Sequence, residues 1–146
     1  MYELIQTGNR SFYINCPAKI GVFRIDGSRI CLIDSGSDKD AGRKVRQIMD
    51  REGWSLHAII NTHSNADHIG GNKYLQQQTG CKIYAKGVEA AFTSHPQLEP
   101  AFLYGGYPFK DLRHKFLMAP ESQVCDISAM AEDAALSELE LIPLPG

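Results

Sequence analysis

Asn61-Thr62-His63-Ser64-Asn65-Ala66-Asp67-His68-Ile69-Gly70-Gly71-Asn72 is the stretch on which the reading of this chain turns. It follows Leu56-His57-Ala58-Ile59-Ile60, a short apolar run that reads as a buried strand. It leads into a segment that reads as one helix from Asp67 to about Gln78, closed by Gly80. In extended chain, residues i and i+2 face the same side, so His63 and Asn65 are expected to point together. Asp67 and His68 then fall in the first helical turn and converge on the same space. Imidazole nitrogens and a carboxylate oxygen are ligands that zinc accepts at about 2 Å. Gly70 and Gly71 remove side-chain bulk near the helix start and let it approach neighbouring backbone. Plainer uses exist for each residue. A carboxylate at a helix start caps free N–H groups and suits the helix dipole, and a lone loop histidine needs no metal.

Upstream, Ser11 to Asn15 and Ile20 to Ile25 read as strands, rich in β-branched and aromatic residues. Asp26-Gly27 supplies a hairpin turn, and Arg29 to Asp34 is the returning strand, apolar through its middle and ending at Ser35-Gly36. A helix follows: Ser37 is placed to cap it with Asp40 three residues on, Ala41, Val45, Ile48 and Met49 share a face, and Gly53 stops it. Downstream, Cys81 to Ala85 is a short strand and Val88 to Phe92 a brief helix. From Pro96 to Pro120 no clean period survives, and the aromatics Phe102 to Phe116 either line a substrate mouth or cover core edges. Leu139 to Leu144 reads as a last strand before Pro145-Gly146. Strands first, then strands alternating with helices, indicate an α/β (α+β) layered architecture.

The composition bounds the function. With 146 residues, 43% hydrophobic and 22% charged, the chain is the size of one domain or a piece of a larger one. A net charge of −2 with interspersed signs lacks the basic face that a nucleic-acid partner requires. No run approaches the roughly 20 apolar residues of a membrane span, and the N-terminus lacks the pattern of a signal peptide. A cytoplasmic protein is expected. The four cysteines, Cys16, Cys31, Cys81 and Cys125, are widely spaced and read as reduced thiols. His57, His95 and His114 have no ligand partners at short spacing and read as ordinary.

The stretch 61–72 resembles the H-x-H-x-D-H signature of the metallo-β-lactamase superfamily, which includes glyoxalase II-like thioesterases and lactonases. His63, Asp67 and His68 match its first His, its Asp and its last His, while Asn65 stands where the second His belongs. Leu32-Ile33-Asp34-Ser35-Gly36 is similar to the family's earlier motif, whose Asp supports the metal loop from behind. The resemblance implies the N-terminal half of an αββα sandwich, a mixed sheet with helices on its outer face. It implies a hydrolase in which a metal, zinc or else manganese or iron, activates water against an ester, thioester, lactone or phosphoester of a small-molecule substrate. His63, Asp67 and His68 would be metal ligands, Asp67 would also be catalytic, and Asp34 would support them. Asn65 is a degenerate ligand, because a neutral amide oxygen holds zinc less well than imidazole.

In the family, Leu141 to Gly146 would lead directly to a third metal-binding His, so the chain is expected to end just short of it. Half a sandwich would leave one sheet face uncovered. The apolar strands Ile20–Ile25, Ile30–Ile33 and Leu56–Ile60 therefore suggest a homodimer packed through that face. Two functions stay open: a hydrolase of which this portion is inactive alone, or a non-catalytic half-domain scaffold with a vestigial metal site.

Overall fold

The computed structural model describes residues 2–144. Its spine is a seven-stranded mixed sheet in which strand order follows chain order. Strands β1 (Glu3–Gln6), β2 (Ser11–Asn15), β3 (Ile20–Arg24) and β4 (Arg29–Ile33) form an antiparallel meander. β4 then pairs in parallel with β5 (Ser55–Ile60), β5 with β6 (Lys82–Ala85), and β6 with the two-residue β7 (Cys125–Asp126). The parallel half follows from the connections, since each passes through helix or long crossover segments instead of a tight turn. Five of these strands lie where the sequence pattern places them. β1 and β7 are additions: β1 is half-exposed, and β7 is too short to show a period.

Alternation along the strands sorts the core into two layers. Ile30, Leu32, Ile59 and Ile83 face one side, where they meet Val45, Ile48, Met49 and Leu75 of the helices α1 (Lys39–Glu52) and α3 (Asn72–Thr79). Cys31, Ala58, Ile60 and Tyr84 face the other side. That second face is not bare. The 3-10 segments Ile127–Glu132 and Ala134–Leu136 lie over it, with Met130 and Leu136 buried against the sheet. Phe23, Ile25, Ile33 and Leu139 remain only partly buried around them.

Three local expectations are corrected. The cap of α1 is Asp38, not Ser37: the Asp38 carboxylate accepts from the Ala41 N–H at 2.9 Å and from Lys115 Nζ at 2.9 Å. Ser37 is otherwise engaged, because its backbone lies directly under Gly70. The helix expected from Asp67 to Gln78 is two helices, α2 (Ala66–Ile69) and α3, broken at Gly70-Gly71. A Cβ at Gly70 would overlap the Ser37 backbone, and one at Gly71 would overlap the Ser35 carbonyl. The glycines thus let the chain dock on the β4–α1 connection, as their lack of bulk suggests, and the docking interrupts the helix. Finally, Leu139 to Leu144 is not a strand. Apolar character alone does not make a strand without a ladder, and no described strand pairs with this run. Pro145 and Gly146, where the run was expected to stop, lie outside the described residues.

Within 96–120 there is more order than the pattern suggests. Helix α4 (Val88–Ser94) is as expected and slightly longer, and α5 (Leu98–Tyr104) forms inside the supposedly irregular stretch. The aromatics there do not cover the core: Phe102, Tyr107, Phe109 and Phe116 are exposed by 63–77%. Cys16, Cys31, Cys81 and Cys125 are free thiols, the first three buried. No described helix is long and apolar enough to cross a membrane.

Candidate metal centre

The parallel strands β4, β5 and β6 end on one edge, and the loops leaving them build the site. Open α/β sheets bind ligands at these carboxyl ends. Asp34 follows β4, the segment Asn61 to Asn65 follows β5, and Glu89 lies in the first turn after β6.

Asp34 is the anchor. It is 4% exposed and holds a left-handed backbone conformation, φ +65°, which Asp tolerates better than most residues. Its N–H donates to the Ile60 carbonyl at 2.9 Å, so the turn is tied to the end of β5. Its Oδ1 accepts from the Thr62 N–H at 2.9 Å, and its Oδ2 accepts from Thr62 Oγ1 at 2.7 Å and His68 Nδ1 at 2.9 Å. A second tie runs alongside: the Ser35 N–H and Oγ both donate to the His68 carbonyl, at 2.8 and 3.2 Å. The buried amides of Asn61 and Asn72 bond to each other at 2.8 Å and fix the loop to α3.

This network assigns the histidine tautomers. A carboxylate only accepts, so His68 Nδ1 must carry the proton it shares with Asp34. The single hydroxyl proton of Thr62 goes to Asp34 Oδ2. Thr62 Oγ1 then acts as acceptor toward His63 Nδ1, 2.8 Å away, which therefore also carries its proton. In its neutral form each imidazole would present its lone pair at Nε2, the atom by which a metal is bound, and at His68 that atom lies beside the Asp67 carboxylate. The two rings lie with centroids 4.1 Å apart. Donor atoms of Asp34, His63 and His68 all fall within 4.8 Å of one another. Of these, the Asp34 oxygens are already committed to three inward bonds, so Asp34 supports the site while the imidazoles face outward.

Asp67 and Asn65 are placed differently. The Asp67 carboxylate is 58% exposed and lies 3.5 Å from His68 Nε2. No backbone N–H among the described residues donates to it, so it does not serve as a helix cap. Asn65 opens α2 in an extended conformation, exposed, with its amide bonded to nothing described. The rim carries further negative charge that the sequence pattern does not reveal. Glu89 accepts from the Ser64 N–H at 2.6 Å. Burial raises the Glu99 carboxyl to about 6, with the charges of Asp67 and Glu89 adding to the rise. Beside Thr62, a cavity of about 530 Å³ is lined by Ile33, Ile60, Lys86, Ile127 and Leu139, among others. Of the histidines read as ordinary, His57 has a distant partner: Nε2 lies 2.9 Å from Asp133, which also accepts from Tyr84 Oη.

An α/β sheet whose β4 and β5 ends hold two imidazoles over a buried carboxylate defines a metal-centre scaffold. The sequence profile of the metallo-beta-lactamase superfamily matches residues 14–146, and the chain belongs to that superfamily. It is 49% identical over 41 residues to a hydroxyacylglutathione hydrolase of Nitrobacter hamburgensis, covering 28% of this chain and 16% of that protein. It is 37% identical over 60 residues to one of Methylobacillus flagellatus, covering 40% of this chain and 24% of that protein. The chain thus matches less than a quarter of the length of these curated relatives. Among solved structures, a subclass B3 metallo-beta-lactamase of Bradyrhizobium japonicum superimposes with TM-score 0.66 at 18% identity, covering 84% of this chain and 43% of that one. A metallo-beta-lactamase from Novosphingobium pentaromativorans gives TM-score 0.63 at 22% identity, with coverage of 84% and 43%. The expected fold class, a mixed sheet with helices on its outer face, is the fold these structures share.

Proposed function

We propose that this chain carries the His63/Asp67/His68 part of a zinc centre in a hydrolase whose substrate is a small thioester of the hydroxyacylglutathione type. The observation that carries the reading is the convergence of Asp34, His63 and His68 donor atoms to within 4.8 Å of one another, with both imidazole Nδ1 atoms turned inward to the Asp34–Thr62 pair. The nearby matches to hydroxyacylglutathione hydrolases support the substrate class.

The residues present suit one zinc ion: two imidazoles and an exposed carboxylate are nitrogen and oxygen donors it accepts. When bound, zinc supplies a Lewis acid that activates water and polarises a carbonyl. The chain's own residues do the rest. Asp34 and Thr62 hold the imidazoles in the metal-binding tautomer. Asp67, beside His68 Nε2 and open to solvent, accepts a proton from the attacking water. The apolar wall at Ile33, Ile60 and Ile127 seats the carbon skeleton of a substrate next to Thr62, and Lys86 faces its carboxylates. Asn65 weakens the ligand set, and the activity belongs to the whole protein in which the remaining ligands are supplied.

Zinc titration of the purified chain against a chromophoric chelator tests the centre, with His63→Ala and His68→Ala as controls. Stoichiometric binding that both substitutions abolish sustains the reading. Binding that both variants keep rejects it, and no binding makes this chain a scaffold alone, with any activity to be sought in the whole protein. Thioesterase assays on S-lactoylglutathione with the whole protein then test the substrate.

A further inference from the structure

The loop that carries His63 is held at its start by the bonds of Asn61 and Thr62 described above, and beyond Thr62 it needs a further tie. The Asn61 N–H still bonds to the Tyr84 carbonyl and the Asn65 carbonyl takes the first bonds of α2, but between them Ser64 lies outside strand and helix with only 6% exposure. A buried N–H at such a place needs an acceptor, or it costs about 1–3 kcal/mol. The acceptor is not a backbone carbonyl. It is Glu89 Oε2, 2.6 Å from the Ser64 nitrogen, a charge-assisted bond.

Glu89 reaches the loop from a separate element, the first turn of α4. That turn is itself fixed: the Gly87 N–H donates to Asp126 of β7 at 3.2 Å, and the Glu89 N–H donates to the Lys86 carbonyl at 3.0 Å. The bond therefore ties the β5 loop to the β6–α4 connection from the side opposite Asp34. Asp34 holds the loop at Thr62, and Glu89 holds it two residues later. His63 sits between the two ties, and Asn65 follows directly.

Resting on the metal-centre reading above, we propose that Glu89 is a positioning residue of that centre. It fixes the backbone at Ser64 so that the His63 imidazole stays over Thr62 with Nε2 outward. Glu89 needs no contact with metal or substrate for this. Nothing in the histidine-rich stretch points to it, since it lies 25 residues away from Ser64. What the role requires is an oxygen acceptor, not a negative charge, so glutamine at this position suffices.

The test compares the full chain with Glu89→Gln and Glu89→Ala. Three quantities are read: zinc affinity by chelator competition, exchange of the Ser64 amide, and the ring ¹⁵N shifts of His63 in metal-free protein. In Glu89→Ala, zinc affinity should fall by about ten- to a hundredfold, the usual cost of losing a residue that orients a ligand. Ser64 should exchange at least about tenfold faster, in keeping with a lost bond of 1.4 kcal/mol or more. The His63 shifts should move. Glu89→Gln should stay within about threefold of the parent in affinity, well short of a tenfold orientation loss. A merely structural role would instead speed exchange at the core amides of Ile59 and Ile83, which should not change. Unaltered Ser64 exchange and His63 shifts in Glu89→Ala overturn the proposal, and so does equal loss of zinc in both variants. If the parent chain takes up no zinc, the metal reading falls by that result alone. The exchange and ¹⁵N data on metal-free protein still decide the role of Glu89.

Discussion

Asp34→Asn offers a sharp test of how the centre is organised. Asparagine keeps the shape of the side chain and tolerates the left-handed backbone at φ +65°, so the turn itself is not strained. Its Oδ1 can still accept from the Thr62 N–H. What changes is the second atom, which becomes an NH₂ donor facing Thr62 Oγ1 and His68 Nδ1. His68 must then present a lone pair at Nδ1 and move its proton to Nε2. Thr62 Oγ1, now receiving from the amide, turns its own proton toward His63 Nδ1, and His63 shifts in the same sense. All the polar groups remain paired, so folding stability should drop by only about 1 kcal/mol. Both Nε2 atoms, however, now carry protons where a metal requires lone pairs. Loss of one orienting partner costs about 10–100-fold in metal affinity. With two imidazoles misdirected, the loss should reach about a hundredfold or more, about 2.7 kcal/mol. The assay is ¹⁵N NMR of metal-free protein, which distinguishes Nδ1–H from Nε2–H imidazole, followed by zinc competition. The reasoning is refuted if the parent imidazoles carry their protons on Nε2, or if Asp34→Asn leaves both tautomers in place and binds zinc within twofold of the parent.

Other consequences follow from the same geometry. Gly71→Ala forces a methyl group into the Ser35 carbonyl and should lower stability by about 1–3 kcal/mol, read as a shift in the urea midpoint. Glu99 is held at about 6, above its unfolded value, so the folded state binds the extra proton between about pH 4.5 and 6 and loses stability as pH rises through that window. Glu99→Gln should therefore stabilise the metal-free chain by about 1 kcal/mol at pH 8, a figure reduced for solvent access, and change nothing near pH 4. Asn65→His should raise zinc affinity at least about tenfold at little folding cost, because the Asn65 amide is exposed and unbonded. Sedimentation at micromolar concentration checks the homodimer. A dimer would mean that the partly buried residues Phe23, Ile25 and Ile33 pair between copies, and a monomer that the 127–136 cover is sufficient.

Much of this was legible because local chemistry and global fold agree at the strands. The alternation at Ile30 to Ile33 and the apolar run Leu56 to Ile60 carry the period of the sheet, and β4 and β5 appear where that period places them. His63 and His68 were legible through their spacing and Asp34 through its resemblance to the family's earlier motif, and the structure brings their donor atoms together. What the sequence did not show rests on contacts between distant residues. Glu89 and Glu99 reach the rim from helices far along the chain, and their carboxylates look like any solvated charge in a linear pattern. The break of the Asp67–Gln78 helix is a tertiary effect, since only the docking of Gly71 under Ser35 makes its position special. Leu139 to Leu144 misleads for the converse reason, being strand-like in composition without a ladder to join.

The order of construction bears on what Asn65 means. The bonds of Asp34 to Thr62 and His68, of Ser35 to the His68 carbonyl and of Glu89 to Ser64 all exist among protein groups, without any metal. They set the loop in advance, so that on the proposed reading a metal would meet side chains already oriented, with little ordering left to oppose binding. The acidic anchor is buried at 4% exposure in a left-handed turn, a place where a carboxylate is tolerated because Thr62 and His68 pair with it. The same bonds are also what joins β4, β5 and α2 at this edge, so their persistence alone serves the fold. The two roles separate at the imidazole edges: structure requires only the Nδ1 bonds, whereas metal binding requires the Nε2 atoms to stay open. His63 and His68 stand ring to ring beside the exposed Asp67 carboxylate, and whether their Nε2 atoms take a metal is what separates the proposed centre from a scaffold.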